Sequence, residues 1–258
     1  MKGINQIRED LLVMYKEWAN EFKEIDNGRF LTEQYSNPYY ISIPDNWFDN
    51  NVRIMIVGEE GFGEWGVGKQ YGWRKGEDPW AFDDFEKIIN YNRIKTLKQV
   101  GTKLNLEEAG LCNKTNNKFW IRYNNIYKLG LPCVWNNLDK IHLLGNKNCA
   151  LSKKDREKLH SGITKILAKE IEILKPTIIL FCGWNDRNKA FKQEIPKIYD
   201  RFFVKAKYDY EEVSDCIYNV KTDKRCYIFT RHPNSRKKPK FYEENIVSIL
   251  KTMIMDQL

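Results

Sequence analysis

Val52-Arg53-Ile54-Met55-Ile56-Val57 runs without a break into Gly58-Glu59-Glu60-Gly61-Phe62-Gly63-Glu64-Trp65-Gly66. A short, nearly all-apolar and β-branched run of this kind is a strand buried on both faces, as in parallel sheets covered by helices. The glycines that follow let the backbone turn sharply and approach a ligand closely. The carboxyl ends of such strands are where open α/β sheets place their sites. The stretch therefore brings the carboxylates of Glu59, Glu60 and Glu64, with Phe62 and Trp65, to the mouth of a pocket. Without a ligand in view, the same residues read as a glycine-rich turn with solvated glutamates.

The rest of the chain supplies partners for that strand. Thr177-Ile178-Ile179-Leu180-Phe181-Cys182-Gly183 repeats the pattern of an apolar run ending at glycine, and Leu138 to Gly145 is a further strand candidate, leading into Asn146-Lys147-Asn148. Residues 216–220 and 225–230 pair across the polar turn Lys221-Thr222-Asp223-Lys224. Helical spacing of apolar residues marks 4–24, 82–104, 118–129, the stretch from Ser152 to Lys175-Pro176, 186–194 and 241–255. Strands alternating with helices specify a parallel sheet with helices on both faces. The expected fold is thus α/β, three layers (α/β/α) around a central four-stranded, mainly parallel sheet. Residues 1–50 form an N-terminal helix and an aromatic, proline-containing wrapping loop, and 51–258 form the α/β domain. The loop over 62–80, rich in glycine and tryptophan, is long enough to be a lid or binding loop.

Composition narrows the class of partner. The 258 residues carry 43 Lys and Arg against 35 Asp and Glu, a formal charge of +8, which favours a polyanion such as nucleic acid. Eight Trp and 14 Tyr interleaved with basic residues suit base stacking and phosphate contact. Six cysteines lie scattered with no Cys-x-x-Cys pair, so no disulfide framework and no zinc or iron–sulfur site is expected. No apolar run is long enough for a bilayer span and the N-terminus lacks a secretory apolar core, so a cytoplasmic protein with no membrane partner is expected.

Taken in order, Gly58-Glu59-Glu60-Gly61-Phe62 after the first strand, a strand into HLLGNKN, Leu174-Lys175-Pro176 before an apolar strand ending at Gly183, and His232-Pro233-Asn234 after the last strand resemble the uracil-DNA glycosylase superfamily. The resemblance covers roughly residues 50–255 and rests on order, spacing and strand context rather than on any single motif. It departs from the family pattern at Glu60, where Asp or Asn is usual, at Gly61 in place of proline, at Asn234 in place of serine, and at Gly145 where an Asn is expected.

The resemblance implies a metal-independent, monofunctional DNA N-glycosylase that needs no cofactor and works as a monomer on a uracil, deaminated or modified base. Hydrolysis of an N-glycosidic bond requires an activated water or a carboxylate beside the oxocarbenium-like sugar, and a donor that stabilises the departing base. Glu60 stands in the water-activating position with Glu59 as its alternate, and His232 is the donor near the leaving base or a backbone-positioning group. Gly58 and Gly61 would shape the pocket. Phe62 or Trp73 would stack on an extruded base, and Asn146 or Asn148 would read its edge. Asn234, Ser235, Arg236 and Lys237 would contact DNA phosphates. The alternative is a non-catalytic nucleic-acid or nucleotide-binding member of the same fold.

Overall fold

The computed structural model describes residues 3–22, 41, 43–58, 118–137, 152–184, 210–214, 217–221, 225–231, 233 and 239–255. These fall into two compact units. One holds residues 3–22, 41 and Asn137 to Leu174; the other holds 43–58, 118–136 and everything described from Lys175 onward.

In the first unit, α1 (Ile4–Phe22) packs on α3 (Lys153–Leu174). Ile7, Leu11, Met14, Tyr15 and Trp18 recur at three- and four-residue spacing on α1 and are all buried, as are Ile166, Leu167, Ile171 and Leu174 of α3. One buried polar tie crosses this apolar contact. The Tyr15 hydroxyl donates to Glu170 Oε1 and accepts from the backbone N–H of Ile41 at 3.1 Å. Satisfying a buried carboxylate in this way matters more than the small net gain of the bond, because an unpaired one costs several-fold more. Helix α3 stops where expected: Lys175 takes a left-handed conformation (φ 49°) and Pro176 cannot continue the helix.

The second unit is built on a six-stranded sheet of order β2-β1-β3-β6-β5-β4. Its strands are β1 (Ile54–Gly58), β2 (Cys133–Asn137), β3 (Ile178–Trp184), β4 (Tyr210–Ser214), β5 (Ile217–Lys221) and β6 (Cys226–Arg231). β1 and β3 run parallel with Ile54 opposite Ile178 and Val57 opposite Phe181, and β3 and β6 run parallel with Phe181 opposite Phe229. The Phe181 and Phe229 rings stack across that pair, 5.1 Å between centroids. β2 joins the other side of β1 in the same direction: Ile54 N–H donates to Pro132 O at the start of β2, and the Asn136 amide further along reaches Met55 Sδ. Of these four strands β1, β3 and β6 fall where they were expected, and every residue of β1, β2 and β6 is buried.

The expectation of four strands is corrected to six. β5 pairs with β6 in the predicted antiparallel hairpin, Lys221 opposite Cys226, and β4 adds an antiparallel edge beyond it. β4 reads Tyr-Glu-Glu-Val-Ser, without the apolar alternation that marks a strand, and is held by its backbone ladder to β5. A strand at Cys133–Asn137 was not expected; residues 138–145, where the second parallel strand was expected, lie outside the described residues. The expected helices over 82–104 and 186–194 lie outside them too, as does the loop over 62–80.

Among the described residues, two helices flank the strands of this unit. α2 (Lys118–Tyr127) ends in a turn closed by Gly130 N–H to Tyr127 O, where Gly130 takes φ 78° that a side chain would disfavour. Its Tyr123 hydroxyl donates to Cys133 O at 3.0 Å and so ties the helix to the start of β2. α4 (Pro239–Met255) follows β6 and buries Ile246, Leu250 and Met253. At the opposite, amino-terminal edge of the sheet, the Arg53 guanidinium donates to Lys175 O and Asn50 O and lies 5.6 Å from the Phe48 ring centroid. Arg53 and Thr177 exchange backbone and side-chain bonds there, which sets the β1–β3 register.

Candidate active site

Parallel strands direct their carboxyl ends to one edge, and the order β2-β1-β3-β6 reverses direction between β1 and β3. At a reversal of this kind open α/β sheets commonly bind ligands outside the strand ends. With adjacent strands about 4.8 Å apart, the four ends span roughly 14 Å. Gly58 closes β1 and is buried. The register of β3 against β6 slips between Cys182 and Trp184, so that Gly183 is the extra residue of a bulge at the end of β3. Bulges bend a strand and re-aim its next side chains, and they are frequent beside active sites.

Polarity is concentrated at this edge. The described residues include six buried polar or charged side chains: Arg122, Asn136, Asn137, Glu170, Thr230 and Arg231. Four of them are the last two residues of β2 and of β6, and a fifth, Arg122, binds the end of β6. Below them the same strands carry only apolar or weakly polar side chains such as Val134, Trp135, Ile228 and Phe229. Burying polar groups is costly unless they are hydrogen-bonded, and here Arg122 and Thr230 find their partners within the protein.

The Arg122 guanidinium is the hub of that edge. From α2 it donates to both oxygens of Glu243 on α4, with Nε at 2.9 and 3.0 Å, and through Nη1 to Thr230 Oγ1 at 3.0 Å and Arg231 O at 2.9 Å. Thr230 Oγ1 in turn donates to Phe181 O at 2.9 Å, tying β6 to β3. Burial alone would favour the neutral guanidine; the neighbouring Cys182 sulfur and Glu243 outweigh it and hold Arg122 more firmly charged than usual. Burial pushes the Cys182 thiol up, against the pull of Arg122. The guanidinium forms its salt bridge with Glu243.

Burial also pushes the Cys133 thiol up to about 12, opposed by a bond to Tyr123. A thiol whose pKa is raised on folding stabilises the native state fully below the unfolded value near 9 and loses that contribution as pH climbs towards 12. Stability measured by urea titration should accordingly fall between pH 9 and 12, and Cys133→Ala should make the fall shallower. Equal slopes in the two proteins would contradict the assignment.

Between α2 and α4 lies a cleft of about 750 Å³ whose lining includes Lys118, Ile121, Lys128, Pro233, Val247 and Lys251. It is of ligand-binding size, and Pro233 places it next to the last motif of the chain.

Of the residues singled out from the sequence, the structure describes Gly58 and places it, buried, at the carboxyl end of β1. Glu59, Glu60, Gly61, Phe62, Trp73, Asn146, Asn148, His232, Asn234, Ser235, Arg236 and Lys237 lie outside the described residues. Chain connectivity alone relates the first and last motifs to the carboxyl edge: Glu59 follows Gly58 directly, and His232 follows Arg231. Asn136, Asn137 and Arg122 were not anticipated. The apolar run Cys133-Val134-Trp135 after Gly130 and Pro132, ending in two asparagines, was the signal for the first two. An arginine on the stripe Phe119, Arg122, Tyr123, Ile126 was the signal for the third. Among the described residues no group of His, Cys, Asp and Glu could hold a metal ion, and no helix is long and apolar enough to cross a membrane. No protein-family model matches the chain, and no curated protein matches its sequence.

Proposed function

We propose that the chain is a divergent glycosylase of the uracil-DNA glycosylase type, three-layered around its parallel strands, that hydrolyses the N-glycosidic bond of a uracil, deaminated or modified base in DNA. The observation that carries the reading is the polar carboxyl edge at a strand-order reversal, flanked in sequence by Glu59-Glu60 after β1 and His232 after β6. Water attacks the sugar C1′ as the C1′–N bond breaks; Glu60 takes the water's proton, and the base departs with the bonding electrons. His232 donates a hydrogen bond to the anionic base. No metal or redox group is required by this balance. Asn136, or Asn137 beside it, takes the base-reading role first sought at Asn146 or Asn148, since a side-chain amide offers both a donor and an acceptor. The lysines of the cleft, with Arg236 and Lys237, suit phosphate contact, and the formal charge of +8 favours the polyanion.

Asn136→Leu, which keeps the branching of the side chain and removes its polar atoms, should lower kcat/KM for the preferred base by about 10- to 100-fold, the worth of about 1–3 kcal/mol of lost polar pairing. Binding to DNA lacking that base should not change. Retention of full kcat/KM would move the base-reading role to Asn137 or away from β2.

The reading is tested by base release from oligonucleotides carrying uracil, hypoxanthine, xanthine or a bulky modified pyrimidine, beside the matching free nucleosides. Release from oligonucleotides alone supports it. Release from free nucleosides at equal efficiency would make the protein a nucleoside hydrolase. The replacement of Asp or Asn by Glu60 and of proline by Gly61 favours one rival, a non-catalytic binding protein, which would bind DNA and release nothing.

A further inference from the structure

We infer that the cleft between α2 and α4 docks an acidic amphipathic helix of a partner protein, an inference that stands apart from the glycosylase reading. Lys118, Ile121 and Asn125 line it from α2, and Lys128 from the turn that closes that helix. Their three- and four-residue spacing keeps them on one face. Val247 and Lys251, one turn apart, line it from α4, and the buried Pro233 adds a further apolar wall.

Two properties of this lining set the chemistry of its occupant. The floor is aliphatic: Ile121 leaves 39% of its surface in solvent, and Val247 is half-buried. Apolar surface left open inside a polar rim marks a place of interaction. The rim is basic. Lys118, Lys128 and Lys251 are all exposed, and among the described residues none of the three has an acidic partner. Of the two glutamates in the lining, Glu243 is paired with Arg122, so Glu244 sets one negative charge against three positive ones.

Length then selects among acidic ligands. Lys118 and Lys128 lie ten residues apart, about 15 Å along a helix axis, so no single carboxylate or phosphate reaches both. A helix of similar length, with carboxylates flanking an apolar stripe, meets the lysines and covers Ile121 and Val247 at once. A DNA backbone would also meet the lysines. It would leave the aliphatic floor uncovered, and the lining holds no aromatic ring on which a base could stack. The lysines alone suit either polyanion; the floor between them favours the helix.

The probe is a fluorescein-labelled synthetic peptide of about 14 residues, roughly 20 Å as a helix. It is built of Leu, Glu and Ala, with the leucines on one helical face and the glutamates beside them. Fluorescence anisotropy with the full chain should show saturable binding. A peptide of the same composition, with its leucines spread around the helix, should bind at least about tenfold more weakly. Ile121→Ser with Val247→Ser, both at solvent-accessible positions, should weaken the first peptide by about tenfold or more. Lys118→Ser with Lys251→Ser should weaken it about three- to tenfold, and less so in high salt. Lys154→Ser with Lys158→Ser, which removes two exposed lysines of α3, should change nothing. Absence of binding, equal binding of the two peptides, or equal loss in the α3 variant overturns the inference. So does a duplex oligonucleotide whose binding, unlike the peptide's, is lost in Ile121→Ser with Val247→Ser, since the cleft would then belong to DNA.

Discussion

Arg122→Met alone should destabilise the protein by about 3–5 kcal/mol, the range for breaking one side of a buried ion pair. The loss has three parts. The Glu243 carboxylate is left without its counter-charge, Thr230 Oγ1 loses a donor, and Arg231 O loses the shorter of its two hydrogen bonds. The Glu243 side chain keeps 18% of its surface in solvent, so water can partly take over its solvation. This places the expected loss near the lower end of the range. Urea unfolding followed by tryptophan fluorescence measures it directly. A change below about 1 kcal/mol, the size seen for exposed pairs, would mean that Arg122 is solvated in solution and that the edge is less closed than described. Glu243→Leu added to Arg122→Met should restore most of the loss, because the stranded charge is the main cost.

The second large effect is on catalysis. Glu60→Gln keeps the length and shape of the side chain but cannot accept a proton from water. General-base catalysis contributes about 10²- to 10⁴-fold, so base release should fall by at least two orders of magnitude while DNA affinity is retained or rises with the loss of a negative charge. Glu59→Gln is the matched control: the carboxylate whose removal costs more is the one facing the water. If the two variants lose activity equally, the pair acts as a coupled unit and neither residue alone is the base. If neither loses activity, the carboxylates after β1 are solvated turn residues and the chemistry lies elsewhere.

The sheet was legible wherever a strand is buried on both faces and so reads as an unbroken apolar run, as in Ile54–Gly58, Ile178–Trp184 and Cys226–Arg231. The long helices were legible from the spacing of residues such as Leu11, Tyr15 and Trp18 or Ile246, Leu250 and Met253. β2 was hidden because two of its five residues, Asn136 and Asn137, are polar and suggest a turn, while the more apolar stretch around Leu143 and Leu144 attracts a strand assignment. Those asparagines end β2, so what obscured the strand is also what makes the carboxyl edge of the sheet polar. β4 was hidden for a different reason: edge strands are held by backbone pairing and carry little pattern in their side chains. Arg122 could not be told from an ordinary surface arginine without the tertiary contact that brings Glu243, 121 positions later, against it. The reversal itself lies in strand order, which local periodicity does not encode.

Single-turnover base release by the parent protein and by Glu60→Gln, on the best of the uracil-, hypoxanthine- and xanthine-containing oligonucleotides, with binding to the same oligonucleotides measured alongside, tests the central claim most directly. The account predicts release by the parent, a loss of at least 100-fold in Glu60→Gln, and salt-sensitive binding by both. Tight binding with no release from any substrate by the parent, or equal release by the two proteins, would contradict it.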